Sequence, residues 1–297
     1  MKKFISPFLV FLAAVFWGLS GYFVRETGKF GFSTFEIVFI RLTIACIFAL
    51  LFFAVFNRSV FKIKLKDLWC FIGSGAVGVF GTSLFYFLTM ERASLGTACI
   101  LMYTSPVVVI TLSIILFKEK LTPIKLIGLI TTFIGCILCS YETGGFEMTV
   151  PTFLIGLCSG ICYGLYSIFS RFALNKGYKT ETVLLYSFIF ASLASMIFVP
   201  YESFISNVSL LDDTALYFIG LGLLSTVTPY TLYTLGLKNM ENGKAAIIAC
   251  FEIVASIFVG LIIYQEIPSL VKIVGIVIVF ASVVALNLND FKKKESL

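Results

Sequence analysis

Residues 96–133 recur, in step and without a gap, further along the same chain. GTACILMYTSPVVVITLSIILFKEKLTPIKLIGLITTF lies over GKAAIIACFEIVASIFVGLIIYQEIPSLVKIVGIVIVF. Gly96/Gly243, Ile110/Ile257, Glu119/Glu266, Lys125/Lys272 and Gly128/Gly275 are among the identical pairs. A second stretch behaves alike: VFWGLSGYFVRETGKFGFST lies over ICYGLYSIFSRFALNKGYKT, matching Gly18/Gly164, Phe23/Phe169, Arg25/Arg171 and Gly31/Gly177. Phe71-Ile72-Gly73 matches Phe218-Ile219-Gly220, and Tyr86 matches Tyr233. A chain built from two copies of one unit must bury its core where the copies meet.

Composition says in what solvent. The sequence is 59% hydrophobic and 13% charged, too apolar to cover a water-facing surface. Apolar runs recur at about 5–24, 34–56, 68–89, 95–117, 123–141, 152–173, 182–200, 214–236, 244–264 and 269–288. Each is close to the roughly 20 residues that a helix needs to cross about 30 Å of hydrocarbon. The expected fold is therefore an all-α integral membrane protein of ten transmembrane helices. They fall into two five-helix repeats, 1–144 and 145–297, the second ending in a short basic tail. Five is odd, so the second repeat enters the membrane from the opposite side, the inverted-topology build in which binding sites lie at the repeat interface. The start, MKKFISPFLVFLAAVFWGLSG, has the basic and apolar regions of a signal peptide. However, no small-residue cleavage site follows, so it reads as a retained first helix.

Lys and Arg set the orientation. With a cytoplasmic N-terminus, 17 of the 22 fall in inner segments, four (Arg25, Lys29, Arg92, Lys272) lie outside, and Arg41 sits within a span. The +6 net charge is thus a topology signal and not a nucleic-acid footprint. Both termini are expected in the cytoplasm, in a cell-membrane protein of many passes. The eight cysteines all fall within apolar runs and the chain has no His. They read as buried, inert thiols, with a zinc or redox site at Cys136–Cys139 as the alternative. No metal or cofactor is expected. The partners expected are a small-molecule substrate and membrane lipid, with the chain a monomer or weak homodimer.

The Trp17-Gly18 pair, Arg41, Ser105-Pro106, the Lys118-Glu119 that closes the fourth run, and the GLITTFIG of the fifth together resemble an EamA-type unit of the drug/metabolite transporter superfamily. The second half is similar, with Glu252 where such repeats often carry Glu-Pro, and Gln265-Glu266 at the helix end. The resemblance implies export or exchange of small metabolites, often amino acids or related compounds. Ile253 stands where the unit carries Pro, which suggests a straighter ninth helix.

Candidate functional residues stand out against the apolar background. Glu252 lies mid-span, where an ionised carboxylate costs at least about 2.5–3.5 kcal/mol, and its counterpart in the other repeat is Ser105. It reads as a proton-coupling or substrate-binding group, or as a hydrogen-bonded helix clamp. Arg41, opposite Ser187 in the repeat, lies within about 5–8 Å of Glu252 in depth by the rise per residue. It reads as an ion-pair partner of Glu252 or of Glu36, or as a residue snorkelling to headgroups. Trp17, Tyr86, Tyr103, Tyr163, Tyr166, Tyr230 and Tyr233 are candidates for a substrate pathway, because a Tyr ring packs while its hydroxyl needs a polar partner. Interfacial belting is the alternative. Pro106 and Pro229 mark candidate kinks or gates, the latter among the hydroxyls of STVTPYTLYTLG, which can satisfy a freed carbonyl. Glu119 and Glu266 end equivalent helices and read as caps or gate latches.

Without His, metalloprotease and Ser–His chemistry lose their usual groups, so an intramembrane enzyme fits poorly. A lipid flippase or a non-catalytic membrane scaffold is the alternative to a secondary transporter of a small metabolite. Export, and coupling to protons, complete the expectation.

Overall fold

The computed structural model describes residues 2–93, 95–141, 149–207 and 211–295; the junction expected at 144/145 lies outside them. Among the described residues the regular structure is all helical. Seven stretches are long and apolar enough to cross a membrane: α1 (Ile5–Gly28), α2 (Thr34–Phe56), α3 (Leu65–Arg92), α4 (Gly96–Phe117), α6 (Val150–Asn175), α8 (Thr214–Leu237) and α9 (Asn242–Tyr264). An eighth, α7 (Thr180–Met196), continues into Tyr201–Asn207 after a 104° bend. The shorter apolar helices α5 (Pro123–Cys139) and α10 (Leu270–Leu286) occupy the remaining expected runs. Each of the ten runs thus meets a helix, although length and composition alone qualify seven or eight as crossings. Outward-facing Ile47, Leu51, Val55, Ile127, Leu193, Ile262 and Val277 are exposed apolar side chains, as a lipid-facing wall requires.

The duplication is repeated in the packing. Helix α1 packs on α8 and α9, and its counterpart α6 packs on α3 and α4, while α2 pairs with α7 and α5 with α10. Every major contact therefore joins one repeat to the other. Small residues permit these crossings without a hydrophobic driving force. A Cβ on Gly73 would lie 2.5 Å from the Phe169 ring, and one on the equivalent Gly220 would lie 2.3 Å from the ring of Phe23. The backbone follows suit. Lys118 and Gln265, equivalent residues, both adopt φ 56°, and so do Gly31 and Gly177 at φ 83° and 88°.

Two of the helix pairs carry irregularities at matched places. Wide π turns occupy Gly73–Gly81 of α3 and Leu223–Val227 of α8, the geometry often found where a helix carries function. Both α4 and α9 break near their middle, at Tyr103–Thr104 and at Cys250–Phe251. Pro106 opens the second half of α4 and fits its first turn, where a missing N–H goes unnoticed. The ninth helix is not straight, contrary to what Ile253 suggested. It breaks without a proline because tertiary packing decides: a Cβ on Gly18 of α1 would lie 2.5 Å from the Ala255 Cβ. Such contact fixes the second half-helix whatever its local propensity.

The Lys/Arg-rich loops share one end of the bundle. There Lys176 Nζ lies 2.5 Å from Asp67 Oδ1, and the Tyr178 hydroxyl donates to Asp67 and accepts from the Lys64 amide. The opposite end holds Glu36, buried in a capping box with Ser33 and accepting from Ser203 and Asn207 of the second repeat. Thr34 donates to Glu91 there.

Candidate functional site

A cavity of about 50 Å³ lies between the repeats, lined by Trp17 and Ser20 of α1, Arg41 of α2, Thr82, Ser83, Tyr86 and Phe87 of α3, Met102 of α4, Tyr163 of α6, Tyr230 of α8 and Glu252 of α9. Seven helices converge on it. Its volume admits a few water molecules and falls well short of the roughly 300–1,000 Å³ of a ligand pocket. The conformation is therefore a narrowed one.

Glu252 opens the second half of α9, in its first turn, where the amide ends of a half-helix favour negative charge. It is half-buried. Arg41 is 6% exposed, which removes the snorkelling alternative, and Glu36 is committed to Ser33, Ser203 and Asn207. Arg41 and Glu252 face the same cavity without an ion pair between them within 4 Å among the described residues. The Arg41 Nε is buried with no hydrogen-bond partner, and its guanidinium carbon stands 5.8 Å from the Phe87 ring centre.

Aromatic rings build one wall. Trp17 meets Tyr163, Tyr230 and Tyr233 at centroid distances of 5.7, 5.2 and 5.4 Å. Tyr166 stacks edge-on against Tyr230 at 4.8 Å. The Tyr86 hydroxyl contacts the Cys99 sulfur at 3.3 Å. The Tyr163 hydroxyl neighbours Glu252 but closes no hydrogen bond of regular geometry. Tyr103 is absent from the lining but adjoins it, 2% exposed in a cluster with Met102, Cys136, Cys250 and Phe251, against which Tyr86 and Tyr163 pack. Tyr166 and Tyr233 stand behind the lining and are absent from it.

Repeat symmetry maps the lining onto a second set of positions, several of which carry hydroxyls that pair with one another. Tyr166 and Thr234, counterparts of Ser20 and Phe87, join through hydroxyls at 2.6 Å. Ser167 bonds Tyr233 at 2.7 Å, and Ser187, counterpart of Arg41, bonds Ser74 at 2.6 Å. Pro229 lies in the same region, just after the π turn of α8. The hydroxyls near it largely serve their own helix: Thr226 donates to Leu221 O, Thr231 to Val227 O and Thr234 to Tyr230 O.

The basic end is also latched. Glu119 accepts from the Asn242 amide at 2.9 Å, capping the start of α9, and lies 3.6 Å from Lys125. Lys125, 2% exposed, reaches Glu241 at 2.9 Å. Arg171 donates to Asn242 Oδ1 at 2.7 Å and to the Met240 carbonyl. At the other end the equivalent Glu266 pairs instead with Arg25 at 2.6 Å, both side chains more than half exposed. The two equivalent glutamates thus differ: Glu119 makes largely buried contacts and Glu266 an exposed pair.

Ser20, Thr82, Ser83, Phe87 and Met102 were not singled out in the sequence. Thr82 and Ser83 stand one helical turn before Tyr86, on the same face, and that spacing is the signal that would have found them.

The EamA-like transporter profile matches residues 4–141 and 150–288, one unit for each repeat. The chain belongs to the EamA-like transporter family. An uncharacterized transporter of Archaeoglobus fulgidus is 27% identical over 92% of this chain and 93% of its own length. The uncharacterized inner membrane transporter YicL of Salmonella typhimurium is 23% identical over 96% and 95%. YxxF of Bacillus subtilis, an uncharacterized transporter, is 25% identical over 94% and 88%. A crystal structure 20% identical covers 95% of this chain and 96% of its own, with a TM-score of 0.77, which shows the shared fold. This EamA-like chain is a multi-pass membrane transporter.

Proposed function

We propose that the protein is a secondary transporter that moves a small amphipathic metabolite, an amino acid or similar compound, across the cytoplasmic membrane by alternating access. It works as an exporter, coupled to protons through Glu252. The two repeats, 1–144 and 145–297, frame the transport site between them, with both termini cytoplasmic, and the chain acts as a monomer or weak homodimer.

The observation that carries this reading is the cavity between the repeats, where Arg41 and Glu252 meet an aromatic wall of Trp17, Tyr163 and Tyr230. A carboxyl in such a place either titrates or pairs, and either state responds to a passing proton or charge. The different contacts of the equivalent Glu119 and Glu266 support alternating access, since a carrier needs its two ends to open in turn. Export rests on the family resemblance, and a cytoplasmic membrane on the excess of Lys and Arg at one end.

The test is flux in proteoliposomes across a panel of radiolabelled metabolites under an imposed pH gradient. A transported member should respond to the gradient, and Glu252→Gln should transport without responding. A folded Glu252→Gln protein that keeps its full pH response would eliminate Glu252 as the coupling group.

A further inference from the structure

Arg41 is a charge without a partner. It is nearly fully buried, its Nε has no hydrogen bond, and among the described residues no carboxylate lies within 4 Å of it. The scaffold does not require a cation there, because the same place in the second repeat is Ser187, satisfied by Ser74. The neighbouring polar groups do not relieve it. Thr82 and Ser83 donate their hydroxyls to Gly78 O and Val79 O of their own helix, and Tyr86 is engaged with Cys99. Among the described residues one donor faces the cavity unpartnered, the Arg41 Nε–H, while the Tyr163 hydroxyl stands beside Glu252. Glu252 is the one carboxyl in the lining. What the Arg41 guanidinium lacks among these residues is an anionic oxygen within 4 Å.

A guanidinium prefers a planar, bidentate oxyanion. One guanidinium balances one added negative charge at most, and only while the neighbouring Glu252 carboxyl is protonated, so a monoanion fits better than a phosphate dianion. The space available suits a head group of three heavy atoms, while the rest of a ligand needs the cavity to widen. From this geometry we infer that Arg41 is the carboxylate-binding residue of the transport site, so that a substrate must carry a carboxylate whether or not it carries an amine. This rests on the transporter reading above and adds a chemical requirement to it.

Binding can be read apart from transport. Trp17 lines the cavity, and the only other tryptophan, Trp69, can be removed as Trp69→Phe. In nanodiscs at neutral pH, Trp17 emission is titrated with propionate, alanine, propionamide, propylamine and inorganic phosphate. Propionate and alanine should shift the emission at concentrations at least about tenfold below propionamide, the lower end of what a charge-assisted hydrogen bond supplies. Propylamine and phosphate should not compete with them. Arg41→Gln should erase the carboxylate preference, and Arg41→Lys should retain it in weakened form, because the charge stays and the fork is lost. Circular dichroism and gel filtration establish that each variant is folded. Should Arg41→Gln misfold, the wild-type ranking and the Lys variant still decide. The inference is overturned if amines or phosphate bind in preference, if a folded Arg41→Gln keeps the preference, or if none of the five is bound. Carboxylate binding with no flux in proteoliposomes would instead sink the transporter reading and leave Arg41 its role. Flux without carboxylate preference would do the reverse.

Discussion

Replacing Glu119 with Gln should loosen the basic end. The carboxylate does two things there: it accepts the Asn242 amide at 2.9 Å and it faces the buried Lys125 at 3.6 Å. A Gln oxygen can still accept the amide, so what disappears is the charge. A hydrogen bond to a charged group contributes about 1.5–3 kcal/mol and a neutral one about 1, so the amide bond weakens by roughly 1 kcal/mol. The favourable placement of charge at the start of α9 adds about 0.3–1 kcal/mol. Lys125 keeps Glu241 at 2.9 Å and the Lys120 carbonyl, so its own loss is partial. The closed form of this end should lose about 2 kcal/mol, roughly a thirtyfold shift in the balance between closed and open. Spin labels at the exposed Leu121 and Lys238, in a background cleared of native cysteines, read that balance as a distance distribution in nanodiscs. The variant should gain a longer-distance population that the parent lacks. Glu266→Gln is the internal control: its pair with Arg25 is solvent-exposed and such pairs contribute at most about 1 kcal/mol, so it should leave this distance unlengthened. An unchanged distribution in a folded Glu119→Gln protein would refute the latch.

Two further outcomes test the packing. Gly73→Val and Gly220→Val should each lower thermal stability by about 1–3 kcal/mol through overpacking, against Phe169 and Phe23 respectively; Gly21→Ala, whose Cβ meets nothing within 4 Å, should be near neutral in the same melts. Glu36→Gln should cost about 1–3 kcal/mol, because a buried carboxylate that joins Ser33 to Ser203 and Asn207 loses charge-assisted bonds; denaturation in detergent that matches the parent would count against it.

The helices were legible because apolar runs of bilayer length and paired identities such as Glu119/Glu266 are properties of the chain itself. The break in α9 was not. Its proline signal is missing, and the cause lies in Gly18 pressing on Ala255, a contact between residues far apart in sequence. The π turns carry no sequence signature for a similar reason: Gly73–Gly81 yields to neighbours on α6 and α7. For Arg41 the rise per residue gave its depth but not its azimuth, so snorkelling, pairing with Glu36 and facing Glu252 could not be separated until the helices were set side by side. Tyr103 depends on azimuth in the same way, a mid-span tyrosine that its helix turns into a cluster with cysteines, against which Tyr86 and Tyr163 also pack.

The matched breaks in α4 and α9 carry a consequence for direction. Read from either face of the bilayer, the backbone offers nearly the same hinges, π turns and left-handed corners. Such a frame distinguishes its two faces only weakly. What tells one face from the other is written in the side chains that differ between copies, with Arg41 against Ser187 and Glu252 against Ser105 foremost. Exchanging those residues between the copies should move the two charges toward the other face while leaving the scaffold in place, an asymmetry held in four letters.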